Sequence, residues 1–304
     1  MMEKKYKLTE ETITINGITL YRIEALRNFH DVKKGDKGGF IENERNLFQC
    51  DDCWVYDNAM VYDIAAVYDN ARVYGNARVY DNAYIYGDAS VFGDARVSGN
   101  AEVYGYAKVY GNASVFGDAR VSGNAEVYVN AKVRDNVKVY GDAVVCGYAI
   151  ISGNAIISDN AEVYGNAEVY GNAVVYDNAV VFGNAEVFDN AAIYDDALVC
   201  DNVEVCNNAR IYGYGEVYNN AVVRDNTKVY GKARIFDDVE IYGNAQVYDK
   251  AEVCENVEVY GNAKIYGNAR IYCDTVVCDK AEVCGYSKIY GNAVICGNMK
   301  VCRK

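Results

Sequence analysis

Proline is absent from all 304 residues. It would delete a ladder donor wherever strands are paired, so its absence fits a chain whose backbone is hydrogen-bonded nearly throughout. There is one histidine, His30, against 30 tyrosines. That excludes any mechanism needing two or three imidazoles, the three-histidine zinc site included, and no metal is expected. No apolar run approaches the roughly 18 residues of a membrane span. The opening MMEKKYKLTEETITING carries basic residues but no apolar stretch after them, so no secretory leader is expected and the default location is cytoplasmic. Basic residues are the minority, 30 against 43 acidic, for a net charge of −13. Direct nucleic-acid binding, which needs a basic footprint, is therefore disfavoured. Eleven cysteines in a long chain without a leader read as surface thiols in a reducing compartment, not as a disulfide framework.

What the sequence has is a repeat. From Val55 to Val301 every sixth residue is Val or Ile, 42 positions without an insertion or deletion. With that residue as position one, position five is Ala in 32 of 41 hexads, and position three is Gly in 22 and Asp in 14. Position four is Asn in 26 and Asp in 7. The stretch from position five to the next position two alternates small, variable, β-branched, aromatic. It predicts a four-residue strand with Ala and Val inward and the variable residue and Tyr outward. Gly, Asn and Asp tolerate left-handed backbone, so positions three and four predict a corner. Such a strand cannot bury its own apolar face, but coils stacked at about 4.8 Å can. Three strands per turn give an all-β, single-stranded parallel β-helix of about 14 triangular coils.

Hexads such as Val73-Tyr74-Gly75-Asn76-Ala77-Arg78 resemble the hexapeptide signature of left-handed β-helices. With an aromatic directly after the aliphatic residue, the chain is similar to the YdcK-like hexapeptide-repeat proteins, often labelled acyltransferases. The resemblance extends to Gly38-Gly39-Phe40-Ile41-Glu42 and Asn46-Leu47, which look like that family's opening segment. It implies a left-handed coil and, as one alternative, acyl transfer from acetyl-CoA or another acyl-CoA. It is far more specific for fold than for activity.

Two domains are expected: a small N-terminal β cap over 1–54 and the repeats over 55–304. Thr12–Ile15, Asn16-Gly17 and Ile18–Tyr21 predict a hairpin on a type I′ turn, with Arg22–Leu26 extending its second strand. Lys33–Gly39 predicts a loop. The repeat runs to Val301 with no terminating segment, so Met299, Val301 and Cys302 are expected at an end where two copies meet, and a homo-oligomer, end-to-end or face-to-face, is expected.

Residues 18 apart share a column. One position-two column reads Tyr176, Tyr194, Tyr212, Tyr230, Tyr248 and Tyr266 over consecutive turns. The reading given most weight is self-stacking; the functional one is a flat binding face. Cys146, Cys200 and Cys254 share a column three turns apart, and Cys278/Cys296 and Cys284/Cys302 are stacked neighbours. A vertical pair of thiols is two metal ligands at best. Cys50 and Cys53 form a C-x-x-C without a partner motif.

Three functions fit. A non-catalytic rigid scaffold would present ladder surfaces to a protein partner or to itself; no inserted loop or histidine interrupts the repeats, which favours it. An acyl-CoA-dependent acyltransferase would rest on His30 as base, beside Asp31, and is the weaker reading, so the chain leans away from being an enzyme. An acidic rod that imitates a nucleic-acid duplex and inhibits its binding protein is the third. No cofactor is expected outside the acyl-CoA alternative.

Overall fold

The computed structural model describes residues 4–304. The chain is a parallel β-solenoid of about 15 turns, its strands in three sheets, with no α-helix among the described residues. It divides into two compact units, residues 1–148 and 149–304. No helix of the described residues is long and apolar enough to cross a membrane.

In each unit the hexad explains the coil. Position one is buried without exception from Val55 to Val283, and position five is buried beside it, as at Ala179–Val181. Enclosing each valine contributes about 1.5–3 kcal/mol. Alanine fits the inside of the corner; where Thr227, Thr275 or Ser287 replaces it, the buried hydroxyl donates to the position-two carbonyl of Arg224, Tyr272 or Cys284 at 2.7–2.8 Å. The N–H groups at positions two, four and six donate to carbonyls of the next turn: Tyr176 to Ile193, Asn178 to Asp195 and Val180 to Ala197, at 2.9–3.1 Å. Half of the backbone donors thus run between turns, which is why proline has no place.

Two expectations are corrected here. The paired strands are mostly two residues long, positions six and one, as in Met60–Val61, because the corner begins at position two. Position three is left-handed throughout, every such residue from Asp57 to Gly297 having positive φ, Val129 and Glu255 included, whereas position four is left-handed only at Asp274. Position four has a different task, described below.

In the first unit, β1 (Tyr6–Ile15) and β2 (Ile18–Ala25) form the expected hairpin, with Asn16 and Gly17 at φ 49° and 84°. β1 begins earlier than the alternating pattern indicates; Tyr6–Leu8 pairs with Ile23–Ala25 beyond an irregularity before Thr12. The expected loop ends early, since β3 (Lys37–Ile41) pairs antiparallel with β2 and parallel with Met60–Val61. Two glycines permit this approach: a Cβ on Gly38 would lie 2.5–2.7 Å from Val55, Ile23 and Trp54, and one on Gly39 would collide with Ala59, Val55 and Tyr56. Leu47 bridges Val67 in parallel. Parallel stacking therefore reaches back to Ile41 and Leu47, which accounts for about 15 turns where the hexads alone give 14. Between them, buried Asn46 donates to the Asp63 and Ala65 carbonyls at 3.1 and 2.8 Å and accepts from Asn43 N–H at 2.9 Å.

Candidate functional sites

His30 stands at the tip of a tight reversal in the first unit. Phe29 and Val32, both buried, exchange backbone hydrogen bonds at 2.8–3.0 Å and leave His30 and Asp31 projecting, with His30 at φ 40°. His30 Nδ1 lies 2.9 Å from Asp31 Oδ1, and an Arg72 guanidinium N–H donates to Nε2 at 2.7 Å. Arginine has no acceptor, so Nε2 carries the lone pair and Nδ1 the proton, donated to Asp31. The Tyr56 hydroxyl donates to the same Asp31 oxygen at 2.7 Å. Burial pushes the Asp31 carboxyl up, but hydrogen bonds from Tyr56 and His30 outweigh it and hold the group below its ordinary value. Burial, then the bond to Asp31, raises the Tyr56 phenol. Beside this cluster lies a shallow cleft of about 260 Å³ lined by Asp31, Tyr56, Asp57, Arg72, Tyr74 and Ser90. Arg72 and Tyr56 occupy ordinary repeat positions, and no local pattern in the sequence marks them.

The aromatic column is the second candidate. In the second unit, Tyr176, Tyr194, Tyr212, Tyr230, Tyr248 and Tyr266 stack ring on ring at 4.8–5.0 Å, with interplanar angles of 2–8°. The rings cover one another's faces and leave edges and hydroxyls outward. Burial, reinforced by the neighbouring phenols, pushes Tyr194 and Tyr248 up to about 12. Tyr266 donates to Glu282 at 3.1 Å. The first unit has shorter columns: Tyr68–Tyr86–Tyr104, and Tyr74–Phe92–Tyr110–Tyr128.

The cysteines depart from the sequence reading. Cys278 is joined to Cys296 and Cys284 to Cys302 by disulfides, with Cα–Cα distances of 4.6 and 4.5 Å. In-register turns bring position-two residues that close, within the range a disulfide spans. Cys200, Cys206, Cys278 and Cys284 are also buried rather than surface groups. The column pair Cys278/Cys296 has a carboxylate beside it: a ligand atom of Asp279 and both sulfurs lie within 4.8 Å of one another. Cys50 and Cys53 are not bonded to each other. Cys53 is instead buried against Lys5, whose ammonium donates to the Asp51 and Cys53 carbonyls at 2.7 and 2.8 Å and lies 3.3 Å from the Cys53 sulfur. Burial lowers Lys5 and raises Cys53. Of the other expected positions, Met299 is exposed, Val301 half-buried and Cys302 in its disulfide.

Two further ladders lie along the corners. Position-four amides donate to the residue 18 ahead, as in Asn166 to Asn184 and Asn184 to Asn202 at 3.0 and 2.9 Å. Position-three carboxylates accept from the N–H of the next turn, as Asp195 does from Gly213 at 2.9 Å. The prevalence of Asn over Asp at position four was the available signal: an amide donates and accepts, so it propagates a ladder that a carboxylate ends.

Residues 65–81, 71–87 and 263–279 match the YdcK beta solenoid repeat family. No curated protein matches the chain.

Proposed function

Taking the chain as a β-solenoid of YdcK-type repeats, we propose that it is a non-catalytic interaction scaffold whose aromatic columns contact a protein partner or a second copy. The unbroken six-ring column of the second unit carries this reading. Tyrosine offers rigid, amphipathic contact area at low conformational cost, and stacking fixes its rings before any partner arrives. Contiguous aromatic surface marks interfaces on proteins generally.

The acyltransferase alternative has the weaker support. Both His30 nitrogens are engaged, Nε2 by Arg72. The cleft sets two carboxylates, Asp31 and Asp57, against one guanidinium, a poor fit for a phosphate-rich coenzyme. Equal, background acyl-CoA turnover by wild type and His30→Ala removes that alternative.

Hydroxyl-radical footprinting tests the scaffold reading. Purified chain at low and at high concentration, and chain in native extract, are compared tyrosine by tyrosine. Protection of Tyr176–Tyr266 at high concentration or in extract, relative to the dilute chain, is the expected result. Equal labelling of this column in all three samples contradicts it.

A further inference from the structure

We propose that Cys278, Cys296 and Asp279 form a site for a thiophilic divalent cation of the zinc class, opened by reduction of the Cys278–Cys296 disulfide. The two disulfides of the second unit occupy equivalent slots, position two of successive turns, each 18 residues apart. They differ in the residue that follows. Cys278 is followed by Asp279 and Cys296 by Gly297, whereas Cys284 is followed by Gly285 and Cys302 by Arg303. Only the first pair has a carboxylate within 4.8 Å of both sulfurs among the described residues.

The carboxylate is held in place. Asp279 Oδ2 accepts the Gly297 N–H at 3.0 Å, which anchors it between the two turns that supply the sulfurs. Zinc bonds of about 2.3 Å to sulfur and 2.0–2.2 Å to oxygen place tetrahedral ligand atoms about 4 Å apart; once the disulfide is reduced the two sulfurs separate to that distance, with the Asp279 carboxylate, within 4.8 Å of both, in reach. Cys278 is 4% exposed, Cys296 half-buried and Asp279 exposed. The site is therefore backed by the coil and open on one side, where water completes the coordination. The second pair offers Arg303 in place of the acid, a charge that repels a cation, and serves as an internal control.

Reduction by a water-soluble phosphine balances: phosphine, water and disulfide give phosphine oxide and two thiols. Binding of the cation then releases both thiol protons to solvent and forms two metal–sulfur bonds.

The test is anaerobic Co²⁺ titration of the phosphine-reduced full chain, read by thiolate-to-cobalt charge-transfer absorption and displacement with Zn²⁺. Serine replaces cysteine in the variants because Ser98, Ser122, Ser152 and Ser158 already occupy position two; far-UV circular dichroism checks the fold. In Cys284→Ser/Cys302→Ser the sulfur band is expected at full strength, one ion per chain, and absent before reduction. In Cys278→Ser/Cys296→Ser it is expected to fall to background. Asp279→Asn should bind about tenfold or more weakly. A band undiminished in Cys278→Ser/Cys296→Ser, no band in Cys284→Ser/Cys302→Ser, or undiminished affinity in Asp279→Asn would each overturn the proposal.

Discussion

The strands before Val55 and the hexads after it solve the same problem by different means. In the hexads each position has one task, repeated every six residues, and any one copy has many equivalents. In the leading segment each side chain has a task of its own. Trp54 is packed edge-on against Tyr6 and Phe29 at 6.0 and 5.3 Å, Gly38 and Gly39 admit neighbouring backbone, and Asn46 satisfies three backbone groups. A column spreads a defect over its copies, whereas a unique contact has no substitute. Substitutions should therefore cost most in the leading segment and least along the columns.

The largest expected effect is at Trp54. Trp54→Ala removes a ring that is 1% exposed and should cost about 3–5 kcal/mol in denaturant unfolding. A loss under about 1 kcal/mol would place Trp54 with the interchangeable residues. Next comes Gly39→Ala, whose methyl would meet backbone and Val55; overpacking of this kind costs about 1–3 kcal/mol, read as a lowered melting temperature with the far-UV spectrum retained.

The aromatic column should reveal itself in alkali. The folded-state values of Tyr194 and Tyr248 are raised to about 12 from 10.0. A raised phenol contributes stability that is fully present below its unfolded value and is lost as pH rises through the folded one. Unfolding free energy should therefore fall between about pH 10 and 12, together with late tyrosinate absorption. Tyr194→Leu/Tyr248→Leu should flatten that fall; an unchanged slope would assign it to other groups. The smallest effect is expected at Asn184→Ala, which interrupts one exposed amide ladder at both hydrogen bonds for about 0.5–1.5 kcal/mol by thermal melting.

The same contrast explains what could be read in advance. Strand period, inward valines, small corner residues and the tyrosine column follow from spacing alone, because a repeated position carries one physical requirement. The left-handed residue could be assigned only to positions three and four jointly, since Gly, Asn and Asp suit both tasks by composition. Ile41 and Leu47 escaped the count because eight residues, not six, separate Leu47 from Val55, hiding their equivalence to later position-one residues. His30 was visible as the lone imidazole, yet Arg72 lies 42 residues from it and Tyr56 25 residues from Asp31. Contacts of that kind have no local signature. The Lys5–Cys53 contact is hidden for the same reason, since a lysine near a terminus ordinarily reads as solvated.

Every column rests on turns of 18 residues in register, and engineered cysteine pairing tests this directly. Tyr194→Cys/Tyr212→Cys places thiols where ring centroids now stand 4.8 Å apart, whereas Tyr194→Cys/Tyr218→Cys places them on different faces. Under mild oxidation, peptide mass mapping should find the cross-link of the first double variant forming readily and that of the second staying at background. Equal yields, or preference for the second pair, would contradict the register and every column built on it.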